Sequence, residues 1–369
     1  MNHSISARVS NDRYPVIIGT GSISELSIYL TNYSSNTVAI VADSVFEHPS
    51  NHTCSSLSSL LSEFSTLYLN GGITSKGIDK YLEIIEWLTK SLIPRDGVLV
   101  AVGGGVIGDV AAFVASTYHR GINIVHVPTT TTAMIDSAIG GKTGINFSEQ
   151  VNFIGSYYNP AAVFMEISFL KTLSNRDYLA GLCEALKMAL ISDKYMVMKM
   201  LDQSDLFHQR DQSALDELVY WSVVTKLRHV SDDPKEKSVR LLLNYGHTFG
   251  QSLESFYGIK QTFLRHGEAV ALGMIIASHM AYIMNPNELT KKNVDITYNL
   301  LSKYRLPTCL ADLCLPTIPT VEALIHNLVN DKKRTSQGNR FVLCKSVGAA
   351  NVVFSNDKTI LAQSISAIL

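Results

Sequence analysis

Two histidines give the chain its first hint of chemistry. His247 follows Gly246 and opens an amphipathic helical pattern (Phe249, Leu253, Phe256), while His266 precedes Gly267 and opens a very apolar one from Ala269 to Met280. Two helix starts joined by a short loop can bring both imidazoles to one point, and imidazole is the commonest metal ligand among side chains. Zinc in a catalytic site usually takes three protein ligands and leaves one position open, so a third must come from elsewhere. The segment RDYLAGLCEALKMALI offers one. There Glu184 and Lys187 stand three apart on one helical face among Leu, Ala and Met, where a charge is rarely buried unless it is paired or metal-bound. The spacing is no HExxH-type signature. It fits equally two unrelated helix-terminal histidines and a plain Glu184–Lys187 salt bridge.

A second kind of site is written in glycine. GVLVAVGGGVIGDVAAFVAS reads as a buried strand, a turn of Gly103, Gly104 and Gly105, and a helix entered at Gly108-Asp109. Open backbone N–H groups and the helix dipole at such a turn cradle phosphate. Tight packing without a ligand explains the same glycines, since GGGxxGD is not GxGxxG. Asp43 directly follows the strand TVAIVA, where a carboxylate can accept ribose hydroxyls or cap a helix. Lys76 stands in the glycine loop GGITSKG. After Pro128 a hydroxyl run, Thr129 to Thr132, leads into MIDSAIGGKTGIN. Asp136, Lys142 and Asn152 gather in that glycine-rich, loop-like stretch, where a lysine can serve as a mobile point charge for phosphate or stay simply solvated.

Periodicity places these residues on two kinds of scaffold. Strands at 13–20, 37–42, 65–70, 97–102 and 122–127 alternate with helices, and from about Thr172 long helical patterns take over (176–192, 194–202, 213–231, 247–257, 267–284, 288–304, 320–331) before a hairpin, RFVLCKSVGAANVVF. The pattern predicts an α/β, Rossmann-like nucleotide-binding domain over 1–175 and a mostly α-helical, metal-binding domain over 176–369, with the active site in a cleft. Hydrophobic residues at 46% and charged ones at 17% supply a core and argue against disorder. A net charge of −1 excludes nonspecific nucleic-acid binding, so an anionic substrate must meet a local cluster of cations. Five cysteines without a CxxC pair suggest free thiols in a reducing compartment. The start, MNHSISARVSNDRYPV, lacks the apolar core of a signal peptide. The longest apolar run, Ala269 to Met284, is broken by Gly273, Ser278 and His279 and falls short of a bilayer span. A soluble cytoplasmic protein is expected.

The order of the motifs carries a resemblance. GGGVIGD, VPTTT, DSAIGGKTGIN, GLCEALKMALI, RLLLNYGHTFG, HGEAVALGM and DKK follow one another as in the 3-dehydroquinate synthases, over roughly residues 95–345, and more broadly the chain is similar to the sugar phosphate cyclases. The resemblance implies closure of a carbocycle from 3-deoxy-arabino-heptulosonate 7-phosphate with loss of phosphate, in the shikimate pathway of aromatic amino acid biosynthesis. It implies bound NAD and one divalent metal, usually Zn2+ with Co2+ as a substitute. Glu184, His247 and His266 then look like the metal ligands. Gly103, Gly104, Gly105 and Asp109, with Asp43, Lys76, Thr129, Thr130, Lys142 and Thr172, look like the NAD contacts. Lys142, Asn152 and Asn244 resemble phosphate and hydroxyl binders, and Lys226 and Arg240 the carboxylate grip. Asp136, Lys187, Lys332 and Lys333 fall on substrate positions. Arg120 matches an arginine that reaches the neighbouring subunit's site, which implies a homodimer.

Three residues depart from the family pattern. Ile73 stands where a glutamate follows the glycine pair, Val151 replaces the lysine before Asn152, and Gln251 replaces a histidine one turn after His247. Two fewer cations near the phosphate predict weaker phosphate binding. A related cyclase of secondary metabolism, acting on an amino analogue or another sugar phosphate, is one alternative. An NAD- and metal-dependent polyol dehydrogenase of related fold is another, and a non-catalytic binding protein on the same scaffold a third.

Overall fold

Short β-branched runs almost free of charge, such as VAIVAD and VLVAVG, fold as strands buried on both faces, which is the composition of a parallel sheet covered by helices. The computed structural model describes residues 2–48, 54–148, 150–258, 261–329 and 338–369. Its strands are β1 (His3–Val9), β2 (Asp12–Ile18), β3 (Val38–Asp43), β4 (Ser65–Leu69), β5 (Val98–Gly103), β6 (Asn123–Pro128), β7 (Lys142–Phe147), β8 (Gln150–Tyr157), β9 (Ala162–Met165), β10 (Asn339–Cys344) and β11 (Ala350–Ser355). Seven of them form one sheet in the order β1-β2-β9-β6-β5-β3-β4, parallel except for the β1–β2 pair. From β3 the chain moves outward to β4, then crosses back to β5 on the other side of β3. The order reverses between β3 and β5, and ligands of such sheets bind beyond the carboxyl ends at that point. Asp43 ends β3 and Gly103 ends β5.

The chain divides into two compact units, Met1–Ser174 with Arg210–Lys235, and Asn175–Gln209 with Glu236–Leu369. The helix Gln212–Ser231, expected within the 176–369 domain, therefore belongs to the first unit. Ser231 Oγ donates to the Arg8 carbonyl on β1 at 2.6 Å, and Lys226 bonds Asp136. Helical periodicity reports which face is apolar, not which surface covers it.

The stretch from Asp136 to Asn152 is not the loop its composition suggests. Ala133–Ser137 forms a π-helical turn, and β7 and β8 then pair antiparallel. Gly144 and Gly155 hide the strands, because the backbones approach too closely for a side chain: a Cβ at Gly155 would lie 2.1 Å from the Thr143 carbonyl oxygen.

In the second unit the helix His266–Met284 is apolar all round and buried accordingly. It outruns the expected apolar segment. At 19 residues it is long and apolar enough to cross a membrane, yet 78% of its most apolar stretch of 18 residues is buried inside the protein, as a core helix requires. A Cβ at Gly267 would meet the Ala180 carbonyl oxygen at 1.8 Å, and one at Gly273 the Gly246 oxygen at 2.0 Å. These glycines let the helices Asn175–Ser192, His247–Tyr257 and His266–Met284 touch backbone to backbone.

Candidate functional site

The two histidines of the second unit start their helices because of their glycine neighbours. Gly246 sits at φ +79°, and a Cβ there would strike the Val270 carbonyl oxygen at 2.7 Å. Gly267 makes the corresponding approach to Ala180. The start of the second helix is further pinned by a capping box, in which the Glu268 carboxylate accepts from the Arg265 backbone N–H at 2.8 Å while Arg176 grips it at 2.6 and 2.7 Å.

These contacts bring His247 and His266 to Glu184, which is 1% exposed. One ligand atom from each of the three lies within 4.8 Å of the others. Glu184 Oε2 accepts from the Lys187 ammonium. Glu184 Oε1 has no hydrogen-bond partner among the described residues, and faces His247 Nε2 at 3.8 Å and His266 Nε2 at 3.7 Å. A buried carboxylate oxygen without a partner is costly. A divalent cation among one carboxylate oxygen and two imidazole nitrogens relieves that cost, with a donor set of the kind catalytic zinc takes. The residues therefore fit a metal. The Glu184–Lys187 salt bridge exists as well, but it uses the other oxygen. Both Nδ1 edges face away from the trio: His247 Nδ1 lies 3.3 Å from the Tyr245 carbonyl and His266 Nδ1 3.0 Å from Glu254 Oε1. Desolvation pulls the His266 imidazole down, but Glu254 and Glu184 outweigh it and push it up to about 9.

Arg240 is buried in the 3-10 turn Val239–Asn244, at 2% exposure, and Asn244 from the same turn donates to Glu236. Gln251 lies one turn after His247 on the helix His247–Tyr257. Lys332 and Lys333 lie outside the described residues.

In the first unit, Gly104 caps the helix Gly105–Thr117 and makes no side-chain cap bond to its first N–H groups, a start suited to an anion. A small cavity there is lined by Gly103, Gly104, Gly108, Asp109, His126 and Ser137. Side chains are excluded from the turn: a Cβ at Gly103 would lie 2.8 Å from Ile107, and one at Gly105 2.9 Å from Ser137 Oγ. The turn fits a pyrophosphate. Burial raises the Asp109 carboxyl against the pull of Lys76, whose ammonium lies 2.5 Å from it. Asp43 caps the following turn, accepting from the Val45 N–H at 3.2 Å, and burial raises it too. Thr129 is tied to the glycine turn by its N–H to the Gly103 carbonyl at 2.9 Å, and Thr130 Oγ1 accepts from the Ala133 N–H at 3.3 Å. Thr172 ends the 3-10 turn Ile167–Thr172, bonded to the Phe169 carbonyl at 2.8 Å.

Lys226 Nζ lies 2.7 Å from Asp136 Oδ1 and also donates to the Asp136 carbonyl. Lys142 is exposed at the start of β7. Asn152 holds a left-handed φ of +53°, and its N–H donates to Asn146 Oδ1 at 2.9 Å. The Asn146 N–H in turn donates to the Lys76 carbonyl at 2.7 Å. Arg120 is left-handed as well, at φ +65°. Ile73 opens the 3-10 turn before Lys76, and Val151 is 39% exposed on β8. Sequence reasoning missed Glu236, Glu254, His126 and Asn146. Only Glu254 left a signal, being two helical turns after His247 on one face.

Comparison with known proteins identifies the family. Residues 66–180 match the family model of the 3-dehydroquinate synthase N-terminal domain, and residues 181–334 that of the C-terminal domain. The 3-dehydroquinate synthase of Alkaliphilus oremlandii is 37% identical over 332 residues, covering 89% of this chain and 88% of that relative. Among solved structures, a 2-deoxy-scyllo-inosose synthase complexed with carbaglucose-6-phosphate, NAD+ and Co2+ superimposes with a TM-score of 0.83 at 25% identity, over 100% of both chains. A 2-epi-5-epi-valiolone synthase from Streptomyces hygroscopicus subsp. jinggangensis 5008, with NAD+ and Zn2+ bound, gives 0.84 at 24% identity over 99% of each chain and speaks for the fold. With both halves matched and a relative of this identity over most of its length, the chain belongs to the 3-dehydroquinate synthase family.

Proposed function

We propose that the chain forms 3-dehydroquinate from 3-deoxy-arabino-heptulosonate 7-phosphate with loss of phosphate, using NAD and one divalent metal. The observation that carries the metal is Glu184 Oε1, without a hydrogen-bond partner among the described residues and facing two imidazole Nε2 atoms, in a chain that matches both family domains. When bound, the two groups supply a hydride acceptor that is restored each turn and a Lewis acid. The chain's own residues bind and orient. Glu184, His247 and His266 hold the metal, and Lys187 engages the other carboxylate oxygen so that one oxygen is left for it. The bare turn Gly103–Gly105 receives the pyrophosphate, with Asp43, Lys76, Asp109, Thr129, Thr130, Lys142 and Thr172 completing the NAD contacts. Lys142 and Asn152 take the substrate phosphate. Arg240 offers a planar fork to a carboxylate, and Lys226 a point charge that Asp136 aims. Asn244, Lys187, Lys332 and Lys333 complete the substrate contacts. Incubating the purified protein with this substrate, NAD and zinc should release phosphate, and no release above a no-enzyme control would remove the reading.

A cytoplasmic homodimer, with Arg120 reaching the neighbouring subunit's site, is part of the proposal. The support for a second copy is a hairpin face that keeps Phe147, Phe153 and Tyr157 at 44%, 51% and 49% exposure.

Val151 and Gln251 favour a second reading, a related cyclase acting on another sugar phosphate. Each missing charge-assisted hydrogen bond would weaken phosphate binding by roughly 1.5–3 kcal/mol where it is buried and uncompensated, on the order of ten- to a hundredfold. Val151→Lys with Gln251→His should raise kcat/KM on the heptulosonate phosphate. Unchanged or lower efficiency would point to the other substrate. A polyol dehydrogenase would instead accumulate NADH.

A further inference from the structure

We infer that Glu254 is a positioning residue of the metal centre, holding the Nδ1 edge of His266 so that Nε2 faces Glu184 and His247. The inference rests on the metal reading above. The two imidazoles are restrained unequally. The His247 side chain is 13% exposed, confined by its surroundings, and its Nδ1 lies 3.3 Å from a backbone carbonyl. The His266 side chain is 43% exposed, so packing alone leaves its ring free to turn. The contact that fixes it is Glu254 Oε1, 3.0 Å from Nδ1. A carboxylate accepts only, so Nδ1 carries the hydrogen of this contact and Nε2 is the nitrogen left for a metal, which displaces the Nε2 proton on binding. Glu254 lies on the helix begun by His247, so that helix supplies one ligand and orients the other. At 22% side-chain exposure Glu254 is wet enough for a substitution to leave the fold intact.

The test is zinc titration of metal-stripped protein against a chromophoric chelator, together with the visible ligand-field spectrum of the Co2+ form. Glu254→Ala should raise the zinc Kd about ten- to a hundredfold and alter the Co2+ band, with the metal-free protein still melting in one cooperative transition. Glu254→Gln keeps an acceptor oxygen in the same place and should recover most of the affinity. Zinc binding by Glu254→Ala within about threefold of wild type, with the Co2+ band intact, would overturn the inference. So would a Glu254→Gln protein as weak as Glu254→Ala. Wild-type protein that takes up no zinc would overturn the metal reading itself, a result distinct from intact binding in Glu254→Ala.

Discussion

Glu184 and Lys187 form an ion pair almost wholly removed from water, with side-chain exposures of 1% and 2%. Breaking a buried pair costs on the order of 3–5 kcal/mol, because the remaining charge has no compensation. Lys187→Met should therefore lower the melting temperature of the metal-free protein. Zinc should then restore more stability in the variant than it adds to wild type, and equal zinc-induced shifts in a thermal melt would contradict the shared carboxylate. His126 supplies a second test. Burial pulls its imidazole down to about 4, whereas in an unfolded chain it titrates near 6.5. Between those values the unfolded chain binds a proton that the fold refuses. Its stability contribution is thus complete above about pH 6.5 and is lost as pH falls toward 4, up to about 3 kcal/mol in all. His126→Phe should flatten the fall in melting temperature over that window, and an unchanged slope would show that other groups carry it. At this scale the metal trio was legible only through the family resemblance, since placement alone fitted two unrelated histidines and a plain salt bridge equally well. Asn146 was not, because it acts through another residue and has an ordinary neighbourhood in the chain, and Glu254 left only its spacing from His247.

Elements position these residues through backbone contact more than through side-chain bulk. A methyl group at Gly267 would lie 1.8 Å from the Ala180 carbonyl oxygen, on the helix that carries Glu184. Gly267→Ala must push the helices apart at the metal ligands. We expect a loss of about 1–3 kcal/mol in urea unfolding, as for other overpacked cores, together with weakened zinc binding. Stability loss with unchanged zinc affinity would show that the helix contact does not set the trio. In the other unit, Asn146 joins the Lys76 backbone to the left-handed turn at Asn152. Asn146→Ala should weaken inorganic phosphate binding, measured by calorimetry, while leaving the sheet intact. Undiminished phosphate binding would remove Asn152 from the proposed phosphate contacts. The parallel strands and long helices could be read from periodicity. The β7–β8 hairpin could not, because glycines required for close backbone approach break the alternation that marks a strand. β9, four residues long, offers too little pattern to stand out.

On the scale of the whole chain, the strand order switches between β3 and β5 in the first unit, and the trio of Glu184, His247 and His266 lies in the second. That division was partly legible, but the helix Gln212–Ser231 returns to the first unit, carrying Lys226 to Asp136. No local pattern announces such a return. Dimerisation is a property of this scale too: Phe153→Glu on the exposed hairpin face should yield monomers in analytical ultracentrifugation, and an unchanged sedimentation coefficient would remove that face from the proposed interface. The central claim is that one chain closes a carbocycle and returns the hydride it takes. It is tested most directly by supplying zinc-loaded protein with excess 3-deoxy-arabino-heptulosonate 7-phosphate and a small fraction of that amount of NAD, then following phosphate, dehydroquinate and NADH absorbance together. We expect phosphate and dehydroquinate to appear in equal amounts, far beyond the NAD supplied, with no net NADH. Phosphate release that stops once the NAD is spent, NADH rising in step with product, or no dehydroquinate at all would contradict it.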